Sequence, residues 1–129
     1  MRRRIGFLFV LFLGAVLLSG CLFPTVITKE DDGRLVTLDK RDVLVVRLEG
    51  NPTTGYEWQL SARLDTGILE PVGDPEYISE GGGDIVGAGG TYVFKFRATG
   101  SGTIPLQFVY KRPWEDEPID TFAVTVYVR

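Results

Sequence analysis

The stretch TYVFKFRA, residues 91–98, decides the fold. Tyr92, Phe94 and Phe96 fall on one side of an extended chain, and Lys95 and Arg97 fall on the other. Period two belongs to a strand with one face in a core and the other in water. A helix would space its apolar residues three and four apart. Working outward, the same alternation returns in Ile104, Leu106, Phe108 and Tyr110, and again in Phe122, Val124, Val126 and Val128. Leu44, Val46 and Leu48 form another row, and Tyr56, Trp58 and Leu60 another. No window carries a helical period with caps. The rows are separated by glycine, proline and acidic clusters, which are turn formers.

About seven short strands in roughly a hundred residues predict an all-β chain, folded as an immunoglobulin-like β-sandwich of about seven to eight antiparallel strands. In order, strand A covers 26–29 and continues at 35–38, B is 43–49, C is 56–61, D is 76–79, E is 91–98, F is 103–111 and G is 120–128. Residues 62–75 form a longer connection, with an extra turn or strand around Ile68-Leu69. Pro105 donates no ladder hydrogen bond, so it is expected to mark a bulge or the true start of F. Trp58 on strand C is assigned to the core.

The amino terminus reads differently. Three arginines are followed by an apolar run from Ile5 to Leu18 and then by Leu18-Ser19-Gly20-Cys21. The run is shorter than the ~20 residues that span a bilayer. Residues 1–20 therefore read as a signal peptide, and its end resembles a lipobox, cut before a Cys21 that carries lipid. Residues 21–33 then form a tether with a first short strand, and 34–129 form the sandwich domain. The expected destination is export, with a lipid anchor at the cell membrane or surface. Cleavage removes three of the 14 basic residues and none of the 17 acidic ones, leaving 11 against 17 and a charge of −6. An acidic surface argues against a nucleic-acid partner. Cys21 is the single cysteine, so no intramolecular disulfide can form.

In a sandwich of up-and-down strands, alternate connections share an end. The B–C, D–E and F–G connections should meet there, and they are the unusual ones. B–C is Gly50-Asn-Pro-Thr-Thr-Gly55, and D–E is glycine-rich from Glu80 to Gly90. F–G holds Arg112-Pro113-Trp114 and then Glu115-Asp116-Glu117. Singly, each reads as a turn. D–E has no following helix and no GK[ST], so it is not a phosphate cradle. Together at one tip they make a binding surface.

NPTTGY, GAGG and RPW, in that order and on those connections, resemble the three signature loops of the chagasin family, inhibitors of papain-like cysteine proteases. The similarity runs from about Val26 to Arg129. Gly81–Gly83 and the acidic run 115–117 depart from the family pattern. The resemblance implies a wedge of three loops that fills the protease cleft, a reversible and competitive inhibition. Thr53 and Thr54 would meet the catalytic cysteine and histidine, with Asn51, Pro52, Gly55 and Tyr56 completing the loop. Gly87, Ala88, Gly89 and Gly90 would run along the substrate channel by their main chain. Arg112, Pro113 and Trp114 would lie on the primed side.

Other classes fare worse. The sequence has no histidine. Nucleophile–base pairs and zinc sites built from His and Cys therefore lack their parts. Adjacent acids such as Asp116 and Glu117 read as a solvated face. The chain is expected to be no enzyme and to need no metal, cofactor or small-molecule substrate. The alternative function is a surface-anchored immunoglobulin-like adhesion or ligand-binding module, since fold does not fix function.

Overall fold

The computed structural model describes residues 23–80 and 89–129. They form nine strands in two facing sheets. The strands are β1 (Thr25–Thr28), β2 (Leu35–Leu38), β3 (Val43–Gly50), β4 (Glu57–Leu60), β5 (Leu69–Pro71), β6 (Glu76–Ser79), β7 (Gly90–Ala98), β8 (Gly102–Lys111) and β9 (Asp120–Val128). One sheet runs β1-β3-β7-β5 with β6 also on β7, and the other runs β2-β9-β8-β4. The immunoglobulin-like all-β sandwich anticipated from the alternation is the fold. Strands B to G correspond to β3, β4, β6, β7, β8 and β9, and the extra strand near Ile68-Leu69 is β5.

Strand A departs from expectation. Its two halves are separate strands in different sheets, with the short helical turn Lys29–Asp31 between them. β1 pairs with β3 and β2 with β9, both in parallel. The sheets are therefore mixed, although all other pairings are antiparallel. The cause is topological. The chain crosses between sheets after β1 and again after β2, so β3 returns beside β1 pointing the same way.

Pro105 is neither a bulge nor a strand start. It lies inside β8 opposite Thr125. The Thr125 amide bonds to Arg34 O on the far side, 3.0 Å away, so this rung exchanges no bond with β8. On the other flank β4 ends at Leu60, opposite Phe108. The missing donor thus faces a place without a strand.

The inward rows interlock. Phe108 packs on Phe94 with ring centres 4.7 Å apart, and on Phe122 at 6.1 Å. Leu44, Val46, Leu48, Leu106, Val126 and Val128 are fully buried around them. Burial at ~25 cal/mol per Å² of apolar surface drives this arrangement. Trp58 sits in the core as assigned, and its Nε1–H donates to Glu49 O at 2.9 Å.

The candidate inhibitory tip

β3, β6 and β8 all arrive at the same end of the sandwich, and β4, β7 and β9 leave from it. The B–C, D–E and F–G connections consequently share one tip. Gly50 and Gly90 are register partners there, and the Glu80 amide bonds to Gly89 O at 3.1 Å. Gly90, anticipated as the last residue of the D–E loop, is the first residue of β7, so the strand begins one residue earlier than expected. A side chain at Gly90 would collide with Ile78 O and the Tyr77 ring, so glycine is required. Gly87, Ala88 and Cys21 lie outside the described residues, as does the whole signal segment 1–20.

The B–C loop is built from its own sequence. Asn51 is extended, and its Oδ1 accepts from Thr53 N at 3.1 Å and from Thr53 Oγ1 at 2.7 Å. Pro52–Thr54 form one 3₁₀ turn, which proline favours at its first position. Thr54 Oγ1 donates to Asn51 O at 2.9 Å. Gly55 ends the turn with φ +84°, left-handed, its amide bonded to Pro52 O at 3.0 Å. Both threonine hydroxyls therefore stiffen the loop internally while Pro52, Thr53 and Thr54 stay exposed.

Tyrosines hold the loop at both ends. Tyr110 Oη accepts the Asn51 amide at 2.9 Å, and Tyr92 Oη donates to Tyr56 O at 3.3 Å. Tyr110 itself stacks on Trp58 at 5.1 Å. Burial pushes the Tyr92 hydroxyl up to about 12, helped by the neighbouring Tyr110, Glu57 and Tyr77. Neither anchor stands out in the pattern of the sequence. The available signal is that these inward rows reach the tip in a tyrosine, which has a hydroxyl to offer, where phenylalanine has none.

From F–G, Trp114 projects with 72% of its surface exposed. Its ring edge packs over Gly55, where an added Cβ would lie 2.9 Å from the indole. Arg112 donates from Nε to Thr54 O at 3.0 Å and from Nη1 to Glu115 Oε1 at 3.1 Å. Its guanidinium lies 4.4 Å over the centre of the Tyr56 ring. Asp116, Glu117 and Pro113 are exposed. The structure thus gathers Asn51 to Tyr56, Gly89, Gly90 and Arg112 to Trp114 at one end. It adds Tyr92, Tyr110 and Glu115 as supports. No group of three or more metal-ligating side chains is assembled among the described residues. Among the described residues the arrangement is an exposed edge braced by its own hydrogen bonds.

The family model described as "Chagasin family peptidase inhibitor I42" matches residues 37–126. Amoebiasin-1 of Entamoeba histolytica is 32% identical over 105 residues, 80% of this chain and 98% of that protein. Chagasin of Trypanosoma cruzi is 28% identical over 108 residues, 80% of this chain and 94% of its own length. The crystal structure of EhICP2, a cysteine protease inhibitor of Entamoeba histolytica, superposes with a TM-score of 0.71 over 81% of this chain and 95% of that one. At 23% identity it speaks for the fold alone. With the family match spanning most of the sandwich, the chain belongs to the chagasin family of peptidase inhibitors.

Proposed function

We propose that this chain is a reversible, competitive inhibitor of papain-like cysteine proteases that plugs the active-site cleft with its B–C, D–E and F–G loops. The observation that carries the reading is the convergence of NPTTGY and RPW into one braced tip, Trp114 lying against Gly55. A preformed wedge binds without the ordering cost of a floppy loop. The wedge offers threonine hydroxyls and a cramped 3₁₀ turn to the catalytic dyad, where a substrate would place an extended peptide carbonyl. The cleft is filled and nothing is cut. Gly89, without a side chain, leaves the end of the D–E backbone open to close approach. Trp114 is an exposed aromatic anchor of the hot-spot type.

Titrating the purified chain against a panel of papain-like proteases tests this. Inhibition that substrate competes away, with the inhibitor recovered uncleaved, is expected. Absence of inhibition across the panel, or steady cleavage of the B–C loop, would refute it.

The second part of the reading is export as a lipoprotein, supported by Leu18-Ser19-Gly20-Cys21 after the apolar run. A diacylglycerol on the Cys21 sulfur brings two acyl chains, enough to anchor the domain stably. Cys21→Ser should appear in the soluble fraction or remain unprocessed. Unchanged, detergent-dependent fractionation of Cys21→Ser would overturn the anchor.

A further inference from the structure

We infer that Arg112 is a positioning residue that locks the B–C loop onto the F–G loop before any protease arrives. The inference rests on the inhibitor reading above and changes what Arg112 does within it. An arginine beside an exposed tryptophan suggests a hot-spot contact with the enzyme. The geometry assigns its guanidinium to the inhibitor itself. Nε donates to Thr54 O at 3.0 Å, within the 3₁₀ turn that carries Thr53. Nη1 donates to Glu115 Oε1 at 3.1 Å, and the Glu115 amide returns a bond to Arg112 O at 3.1 Å. The plane rests over Tyr56 at 4.4 Å, and the Trp114 ring centre is 6.0 Å away. One planar cation thus grips a backbone carbonyl of B–C, an aromatic ring of B–C and a carboxylate of F–G.

Three clamps then follow one another along the loop. Tyr110 holds Asn51 at its start, Arg112 holds Thr54 in its middle, and Tyr92 holds Tyr56 at its end. Without the middle clamp, the turn would lose its hydrogen bond to the F–G loop. The carbonyl of Thr54 and the face of Tyr56 require a flat, forked donor, which lysine does not provide. Glu115 sets the rotation of that fork.

Amide hydrogen exchange on the free chain, compared for wild type, Arg112→Ala and Arg112→Lys, is the first arm. The Thr53 and Gly55 amides are both hydrogen-bonded inside the loop. They should exchange on the order of tenfold faster in both variants, the loss of one charge-assisted bond. The core strands should keep their protection. The second arm measures inhibition of a papain-like protease by Arg112→Ala, Thr53→Ala and the double variant. Positioning predicts that Thr53→Ala costs less in the Arg112→Ala background than in the wild type. Unchanged exchange with additive losses would make Arg112 a direct protease contact and overturn the inference. Faster exchange throughout the sandwich would make it a general stabiliser, which also overturns it. A wild-type chain that inhibits no such protease would refute the inhibitor reading. The exchange arm would still decide whether Arg112 holds the loop.

Discussion

Gly55 and Trp114 are in contact across the tip, so that a methyl group on Gly55 would stand 2.9 Å from the indole edge. Two demands therefore fall on one residue. Its φ of +84° asks for a residue without a Cβ, and the indole asks for the same. Left-handed backbone costs an L-residue about 1–2 kcal/mol. Gly55→Ala should lower unfolding free energy by about that much. It should also displace Trp114 and weaken inhibition at least tenfold, more than the stability loss alone explains. Urea unfolding and inhibition titration of Gly55→Ala make the comparison. A folded variant with unimpaired inhibition would show that the two loops do not act as one surface.

Trp114→Ala separates binding from folding. The side chain is largely exposed and belongs to none of the buried rows. Truncation should cost on the order of 2–4 kcal/mol of binding, the hot-spot range, or roughly 30- to 1,000-fold in the inhibition constant. The melting temperature should hardly move. Thr53→Ala should cost less, about 1 kcal/mol, through the hydroxyl that now bonds Asn51 Oδ1. If Trp114→Ala unfolds the domain, the indole is packing and the binding tip is misplaced.

How far the sequence reveals this arrangement depends on what each feature encodes. Alternation names a strand and its inward face, so Phe94, Phe108 and Phe122 disclosed the sandwich and its core. It says nothing about which strand lies alongside, so the parallel placement of β1 beside β3 and β2 beside β9 stayed hidden. Strand direction placed Asn51 to Tyr56 and Arg112 to Trp114 together, because it sends alternate connections to one end. The role of Arg112 was not legible. Its partner is the backbone carbonyl of Thr54, and carbonyls look alike in every sequence. Pro105 misled because the penalty for its missing donor depends on which flank of β8 is paired at that level.

Alkaline pH should find the Tyr92 anchor. Burial, with Tyr110, Glu57 and Tyr77 nearby, pushes its hydroxyl from 10.0 up to about 12. The folded state thus holds the proton more tightly than the unfolded one. Its contribution to stability is fully present below about pH 10 and is lost as pH rises toward 12. Tyr92→Phe removes the bond to Tyr56 O and should cost about 0.5–1.5 kcal/mol at neutral pH. Between pH 10 and 12 the variant should lose less stability than wild type does. Parallel slopes in urea titrations at pH 8 and pH 11 would contradict the assignment.

Trp58 joins the core to the tip, and its replacement should be felt in both. The indole donates to Glu49 O at 2.9 Å and stacks at 5.1 Å on Tyr110, whose hydroxyl receives the Asn51 amide. Trp58→Phe keeps an aromatic ring and removes the donor. It leaves the Glu49 carbonyl without that bond beside a buried ring, a loss of about 1–3 kcal/mol of stability. The smaller ring also stacks less of Tyr110, so Asn51 and the start of the B–C loop should loosen. Inhibition should weaken a few-fold, clearly less than in Trp114→Ala, while the melting temperature falls clearly more. The two variants thus make opposite pairs of readings. Should Trp58→Phe instead lose inhibition at an unchanged melting temperature, Trp58 would act at the protease surface and its place in the core would need another explanation.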